Sequence, residues 1–225
     1  DDGGLTWTVR NVPNTNNLRS VAWSPKLRLF ATIASTGTGN QVNTSPDGIT
    51  WTARTTPGTS HFYRDMVWVD ELELYVAVAN EAGSTQKVLT SPDGITWTER
   101  TCPDRAWSDI VWSKELGLLC VSATGGIAGE KIMTSPDAIN WTLRSTPGDV
   151  GSWEGITWSG DLGLFVAVNF NTAVLVGTPV MTSPDGINWT LRSAPTNQWL
   201  SVAWSPELGQ FAAVGNQPLN PDSVM

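Results

Sequence analysis

The sequence predicts an all-β fold: a five-bladed β-propeller with four antiparallel strands per blade, formed by the whole chain, residues 1–225, as a single domain. Three observations predict it. Thirteen tryptophans follow one period, two phrases repeat in step with that period, and short apolar runs alternate with turn residues along the chain.

The first phrase reads "TSPDGITWTAR" from Thr44, "TSPDGITWTER" from Thr90, "TSPDAINWTLR" from Thr134 and "TSPDGINWTLR" from Thr182. A fragment, "DDGGLTWTVR", opens the chain at Asp1. Its tryptophans are Trp7, Trp51, Trp97, Trp141 and Trp189. The second phrase, such as "SVAWSPKLRLFATIAS" from Ser20, carries Trp23, Trp68, Trp112, Trp158 and Trp204. The remaining three, Trp107, Trp153 and Trp199, each stand five residues before a second-phrase tryptophan. A period of about 45 residues means a solenoid, a propeller or an array.

Strand length decides among these. "SVAW", "LFATIAS", "VLTS" and "TWTER" are short, with β-branched and aromatic content and Pro, Gly, Asn or Asp at their borders. Stretches such as "SPKLR" and "SPDG" suit hairpin turns. Four such strands per unit make a propeller blade. The blades are expected at about 16–56, 61–102, 105–146 and 151–194, with a fifth at 197–225 plus 1–10. Met225 corresponds to Met133 and Met181, so the last unit stops after its third strand. Residues 1–10 match the missing fourth, and the last blade is expected to be closed by this N-terminal strand, which would remove an open sheet edge.

The phrase "S-P-D-G-I-T-W-T" resembles the Asp-box of the bacterial neuraminidase repeat, usually Ser-x-Asp-x-Gly-x-Thr-Trp. Asp2-Gly3-Gly4-Leu5-Thr6-Trp7 keeps that spacing, and the four internal copies are one residue shorter between Asp and Thr. The resemblance implies a hairpin between third and fourth strands, on the face away from the site of the family's enzymes. Its chemistry is that of a turn. Ser and Asp side chains accept backbone N–H bonds, Gly permits the tight backbone, and the indole N–H finds one partner. Ala138 replaces Gly in one copy, which suggests that a positive φ is not strictly required there. Asp47, Asp93, Asp137 and Asp185 each stand alone in their turn, too few oxygens for calcium. The closing arginines Arg10, Arg54, Arg100, Arg144 and Arg192 read as structural.

A ligand would meet the opposite face. The loops entering the first strands hold a column of Leu18, Tyr63, Trp107, Trp153 and Trp199. The facing loops, between second and third strands, are polar, small and unequal, and offer Asn80, Thr124, Asn169 and Asn216. An aromatic plate beside amides and hydroxyls suits a sugar, whose C–H face stacks while its hydroxyls bond. Several such sites would act through avidity. The leading functional reading is therefore a multivalent, lectin-like carbohydrate-binding propeller using Tyr63, Trp107, Trp153, Trp199, Asn80, Thr124, Asn169 and Asn216, and it needs those rings partly exposed. The competing use of the column is packing between blades. The second functional reading is a structural or adhesive protein-interaction propeller, as on a viral tail or cell surface.

Hydrolysis is the third reading. The family includes sialidases, whose arginine triad and Tyr–Glu pair find no clear match around Tyr63 and Tyr75. Arg19, Arg64 and Arg105 could reach one face. Asp65, Asp109 and Glu154 could form a glycosidase carboxylate pair, or could cap strand starts. His61 is the single histidine, so a Ser-His-Asp triad would hang on one loop residue. Cys120 falls at a small core position and Cys102 in a loop, with no metal pattern.

Composition narrows the partners. Against 13 Lys plus Arg stand 21 Asp plus Glu, a net charge of −8, which argues against nucleic-acid or anionic-membrane partners. No 18-residue apolar run suggests a membrane span. The chain starts without Met and without a signal peptide, as a processed or excised piece would. Glycans are the expected partners, proteins the alternative, and no cofactor or metal is expected.

Overall fold

The computed structural model describes residues 4–58, 60–125, 127–148, 151–170, 178–216 and 224–225. The middle of the loop Phe170–Pro179, most of "NQPLNPD" and the first turn residues Asp2 and Gly3 lie outside them.

The strands fall into five antiparallel sheets. Sheet 1 comprises β1 (Leu18–Ser24), β2 (Leu29–Ala34), β3 (Val42–Ser45) and β4 (Thr52–Arg54). Sheet 2 comprises β5 (Tyr63–Val69), β6 (Leu74–Ala79), β7 (Val88–Ser91) and β8 (Thr98–Arg100). Sheet 3 comprises β9 (Trp107–Ser113), β10 (Leu118–Ala123), β11 (Ile132–Ser135) and β12 (Thr142–Arg144). Sheet 4 comprises β13 (Trp153–Ser159), β14 (Leu164–Asn169), β15 (Val180–Ser183) and β16 (Thr190–Arg192). Sheet 5 has two strands, β17 (Trp199–Ser205) and β18 (Gln210–Gly215).

Neighbours within each sheet follow chain order, as short hairpins dictate. The turn between first and second strands places Arg28, Glu73, Gly117, Gly163 and Gly209 at φ of 50°, 54°, 58°, 57° and 62°. Glycine carries that left-handed backbone without strain, and two units use a larger residue.

The core lies between sheets. The second strand of one sheet supplies alternate residues to each flank, so Val76 and Val78 face sheet 3 while Tyr75 and Ala77 face sheet 1. The seam between sheets 3 and 4 joins Cys120 and Ile132 to Trp153, Ile156, Phe165 and Met181. The first strands pack side by side in the order β1, β5, β9, β13, β17.

The indole N–H groups of Trp112, Trp158 and Trp204 donate to Glu71, Glu115 and Asp161, each in the preceding sheet, at 2.8, 2.6 and 3.2 Å. Lys26 occupies the matching position in sheet 1 and has no acceptor to offer. Trp68 accordingly donates to Asp70 of its own sheet at 2.6 Å.

Sheet 5 differs from the expectation of a closed last blade. Val214 bridges Val224, and Ala213 exchanges both backbone hydrogen bonds with Met225 at 2.8 and 2.9 Å. That register matches Val121–Met133 and Ala167–Met181, so Met225 does stand at a third-strand position. Among the described residues, however, no strand lies beyond it. Residues 7–10 form no strand, and Trp7 is 91% exposed. Nor does β17 pack against β1 as the other first strands pack against each other. The result shows at one repeated position: Met66, Ile110 and Ile156 are 3%, 3% and 4% exposed, whereas Val21 of sheet 1 is 59% exposed.

Candidate functional site

The aromatic column is the centre of the sugar-binding expectation, and the structure places it in the core. Tyr63, Trp107, Trp153 and Trp199 are all at most 1% exposed. Each opens its first strand instead of standing in the loop before it. A bulge follows immediately, between Tyr63 and Asp65, Trp153 and Gly155, and Trp199 and Ser201. The pairing of β9 shifts at the matching place. The extra residue breaks the alternation of faces. Residues three apart thereby share one flank: Tyr63 with Met66, Trp107 with Ile110, Trp153 with Ile156, Trp199 with Val202. The Trp107 and Trp199 indoles donate to the Pro103 and Pro195 carbonyls, at 2.9 and 3.0 Å, and tie down the entering loops. Rings buried this way cannot stack on a sugar, and the packing use of the column is the one seen.

The polar partners do not converge on a pocket either. Asn80 donates to Thr124 Oγ1 at 2.9 Å, so these two tie sheet 2 to sheet 3. Asn169 is fully buried. Asn216 is exposed and its N–H donates to the Gln198 carbonyl at 2.9 Å. Gln41 and Lys87, which precede third strands, donate to the His61 and Arg105 carbonyls of the following sheet.

The carboxylates open to catalysis are engaged in joining sheets. Asp65 Oδ2 accepts the Ile110 N–H at 3.3 Å, and Asp109 Oδ2 accepts the Ile156 N–H at 2.8 Å. Both amides lie just past a bulge in the next sheet, where ladder bonding is interrupted. Enclosure in protein, and then the neighbouring Asp65 carboxylate, push Asp109 well above the ordinary carboxylate range. Glu154 accepts from Arg64 and from Ser108, each at 3.0 Å. Arg105 turns aside to Glu130, and His61 lies between Glu81 and Glu99. Cys102 and Cys120 are buried free thiols, and burial raises Cys102 to about 11.

What remains on the face of the entering loops is a varied surface. Phe62 is 58% exposed. With Arg19, Ser35, Tyr63, Arg64 and Asn80 it lines a hollow of about 110 Å³. The position after the aromatic column reads Arg19, Arg64, Ser108, Glu154 and Leu200 along the sheets; Arg19, Arg64 and Leu200 are exposed, Glu154 is partly buried and Ser108 is buried. Sequence analysis passed over Phe62; its signal was an apolar residue one place before a buried column.

The turn phrase is built as its chemistry implied. Ser91 Oγ donates to Asp93, and Asp93 Oδ1 accepts the N–H groups of Ile95 and Thr96 at 2.8 and 2.7 Å. The Trp97, Trp141 and Trp189 indoles donate to the carbonyls of Gly94, Ala138 and Gly186. N–H donors at Thr50 and Ile49 hold Asp47 at about 2. Arg54, Arg100, Arg144 and Arg192 donate from Nε to the third-strand threonines Thr44, Thr90, Thr134 and Thr182. Ala138 corrects one expectation: its φ is 60°, beside 69°, 71° and 70° at Gly48, Gly94 and Gly186. The left-handed backbone is adopted in all four internal copies, Ala138 included.

No family model matches the chain, and no curated protein matches it. Solved structures do. A chain of a nidogen/laminin complex aligns over 89% of this chain and 72% of its own length, at 10% identity and a TM-score of 0.62. The extracellular domain of the hybrid two-component system BT4673 from B. thetaiotaomicron aligns over 92% of this chain, at 9% identity and a TM-score of 0.66. This chain spans 27% of that one's length. At such identities the likeness is one of fold, and with the five repeated antiparallel sheets it makes this chain an all-β protein of the propeller type.

Proposed function

We propose that this chain is a protein-interaction propeller, which binds a macromolecular partner through the face of the entering loops. The single observation that carries this reading is the burial of Tyr63, Trp107, Trp153 and Trp199. It takes away the repeated aromatic plate that multivalent sugar binding requires. The face that remains does not repeat: at one position Arg19, Arg64 and Leu200 are exposed, Glu154 is partly buried and Ser108 is buried. A surface that differs from sheet to sheet suits one partner read once, through an exposed aromatic and arginines of the kind that dominate protein interfaces. Nidogen, whose complex with laminin contains a similar fold, lends support by analogy of fold. The scaffold for this face is a ring of five blades whose last is completed by residues 1–10. The phrase resembling the Asp-box takes a scaffolding part in it.

The test is a pair of arrays, one of displayed peptides and protein domains, one of glycans. The wild-type chain is expected to select protein ligands that Phe62→Ser and Arg64→Glu lose and that Ile95→Ser, on the opposite turns, retains. Retention of glycans without protein ligands would overturn the proposal.

A further inference from the structure

The hollow beside Phe62 is cationic, on a chain whose net charge is −8. Arg19, Ser35, Phe62, Tyr63, Arg64 and Asn80 line its 110 Å³, two cations and no carboxylate. Arg19 and Arg64 are the residues skipped by the bulges of β1 and β5. An extra residue in a bulge is left out of the ladder and re-aims its side chain. The irregularity that sends Tyr63 into the seam thus displays Arg64 on the face, and Arg19 stands beside it on the adjoining first strand. Arg19 donates from Nε to Ser35 Oγ at 2.9 Å and pairs with no carboxylate among the described residues. Arg64 donates from Nη2 to Glu154 Oε2 at 3.0 Å. A guanidinium has five N–H donors in a planar fork, so one such bond does not saturate either group. Glu81 and Glu99 are turned to His61 and do not line the hollow. Two cations and one carboxylate, Glu154, leave a net of one positive charge at the site.

We propose that this hollow receives the carboxylate of one Asp or Glu side chain of a protein partner, held between Arg19 and Arg64, while an aliphatic neighbour of that residue lies on Phe62. The proposal rests on the partner face given under the proposed function and names what that face reads. Size permits it: a water needs about 10–15 Å³ of such space, so the hollow has room for several waters or for one small ligand group. Charge selects among the groups that would fit. A carboxylate carries the single charge that the site lacks, and guanidinium forks bond it through charge-assisted N–H donors. An amide of the same shape accepts a bond and leaves the positive charge unmatched. A phosphoryl group carries about −1.5 to −2 at neutral pH, and its excess charge would face Glu154. Phe62 supplies the apolar half of the site, since its ring is 58% exposed at the rim. An exposed aromatic beside arginines is the composition of an interface anchor.

The experiment titrates the whole chain with three acetylated, amidated dipeptides, Leu-Glu, Leu-Gln and Leu-phosphoserine, and follows the Phe62 amide and the Arg19 Nε–H by NMR. Leu-Glu is expected to shift both signals and to bind about fivefold more tightly than Leu-Gln, a modest factor because the hollow is open to water and salt. Arg19→Gln, an exposed substitution, is expected to remove that preference and to keep the melting transition. Equal binding of Leu-Glu and Leu-Gln, tighter binding of Leu-phosphoserine, a preference that survives Arg19→Gln, or no shift at millimolar Leu-Glu overturns the proposal. The protein array is scored separately. Ligands that Phe62→Ser loses and Arg19→Gln retains refute the carboxylate and leave the function in place. A carboxylate preference in a chain that selects no protein refutes the function and leaves the specificity of the hollow.

Discussion

The seam between sheets 3 and 4 and the flanks of sheets 5 and 1 are built from the same repeated positions, and they look opposite. Ile156 and Phe165 are buried at the first; Val21 and Trp23 are exposed at the second. The difference teaches that burial here belongs to a pair of facing sheets, not to a single sheet. Each sheet carries two half-cores, and each becomes a core only against a neighbour. The second region also differs in its chemistry. Where other sheets place Leu89, Met133 or Met181, sheet 1 places Asn43, bonded to Asn14 at 2.9 Å, and where others place an aromatic ring it places Leu18. This flank of sheet 1 is therefore more polar than the matching flanks of sheets 2, 3 and 4, and it has less to gain from the hydrophobic effect.

The strongest way to break this comparison is to empty an inner seam. Trp153→Ala is expected to cost about 3–5 kcal/mol, as truncation of a buried Trp does. Chemical denaturation followed by circular dichroism measures it. A loss below about 1 kcal/mol would mean that the inner seams are no better packed than the outer flanks.

A second substitution sharpens the role of the turns in the seams. A Cβ on Gly94 would come within 2.7 Å of Leu29 Cδ2 in the preceding sheet, at a φ of +71°. Gly94→Ala should then cost about 1–3 kcal/mol through overpacking and backbone strain. Ala138→Gly, at the one copy that already accommodates a methyl, should shift stability by less than about 1 kcal/mol, because relief of strain and loss of packing oppose each other. Thermal melts of the two variants side by side give the contrast.

The smallest effect is a dependence on pH with two signs. The fold raises the pKa of Asp109, so this group's contribution is complete below its unfolded value, near the ordinary carboxylate range, and is lost as pH rises through its folded value. Burial opposes ionisation of Asp137 and Asp185, but the amide donors of Asn140 and Asn188 outweigh it and hold both at about 2. Their contribution is present above the ordinary value and is lost as pH falls towards 2. Asp109→Asn should flatten the decline on the neutral side and leave the acid limb unchanged, as read from melting temperature between pH 2 and pH 8.

The fold was legible because its signals are local or periodic. Tryptophan spacing counted the units, and turn residues marked the hairpins. Even Met225 could be placed, since it precedes the point where "TSPD" would begin. The candidate site was not legible, for one reason that acts at four places. A single bulged residue reverses which face a side chain takes, so Tyr63 and the three tryptophans turn from the loop face into the seams. Periodicity carries no sign of that extra residue. Arg28 and Glu73 hide their left-handed backbones in the same way, since the glycines at their position in other units show the need and they do not.

Lys26 has a consequence for how the repeats are ordered. An indole that follows sheet 1 finds at that position no carboxylate but Lys26, whose ammonium pairs with Glu73, and Trp68 keeps an acceptor because Asp70 stands two residues away. The corresponding neighbours of Trp112, Trp158 and Trp204 are Lys114, Gly160 and Pro206, none of which carries an acceptor carboxylate. A gene in which another of these modules followed unit one would therefore leave that module's indole without its carboxylate. Unit two is the one described successor that keeps its indole bonded after unit one, so the order of these two repeats is constrained despite their near-uniform text.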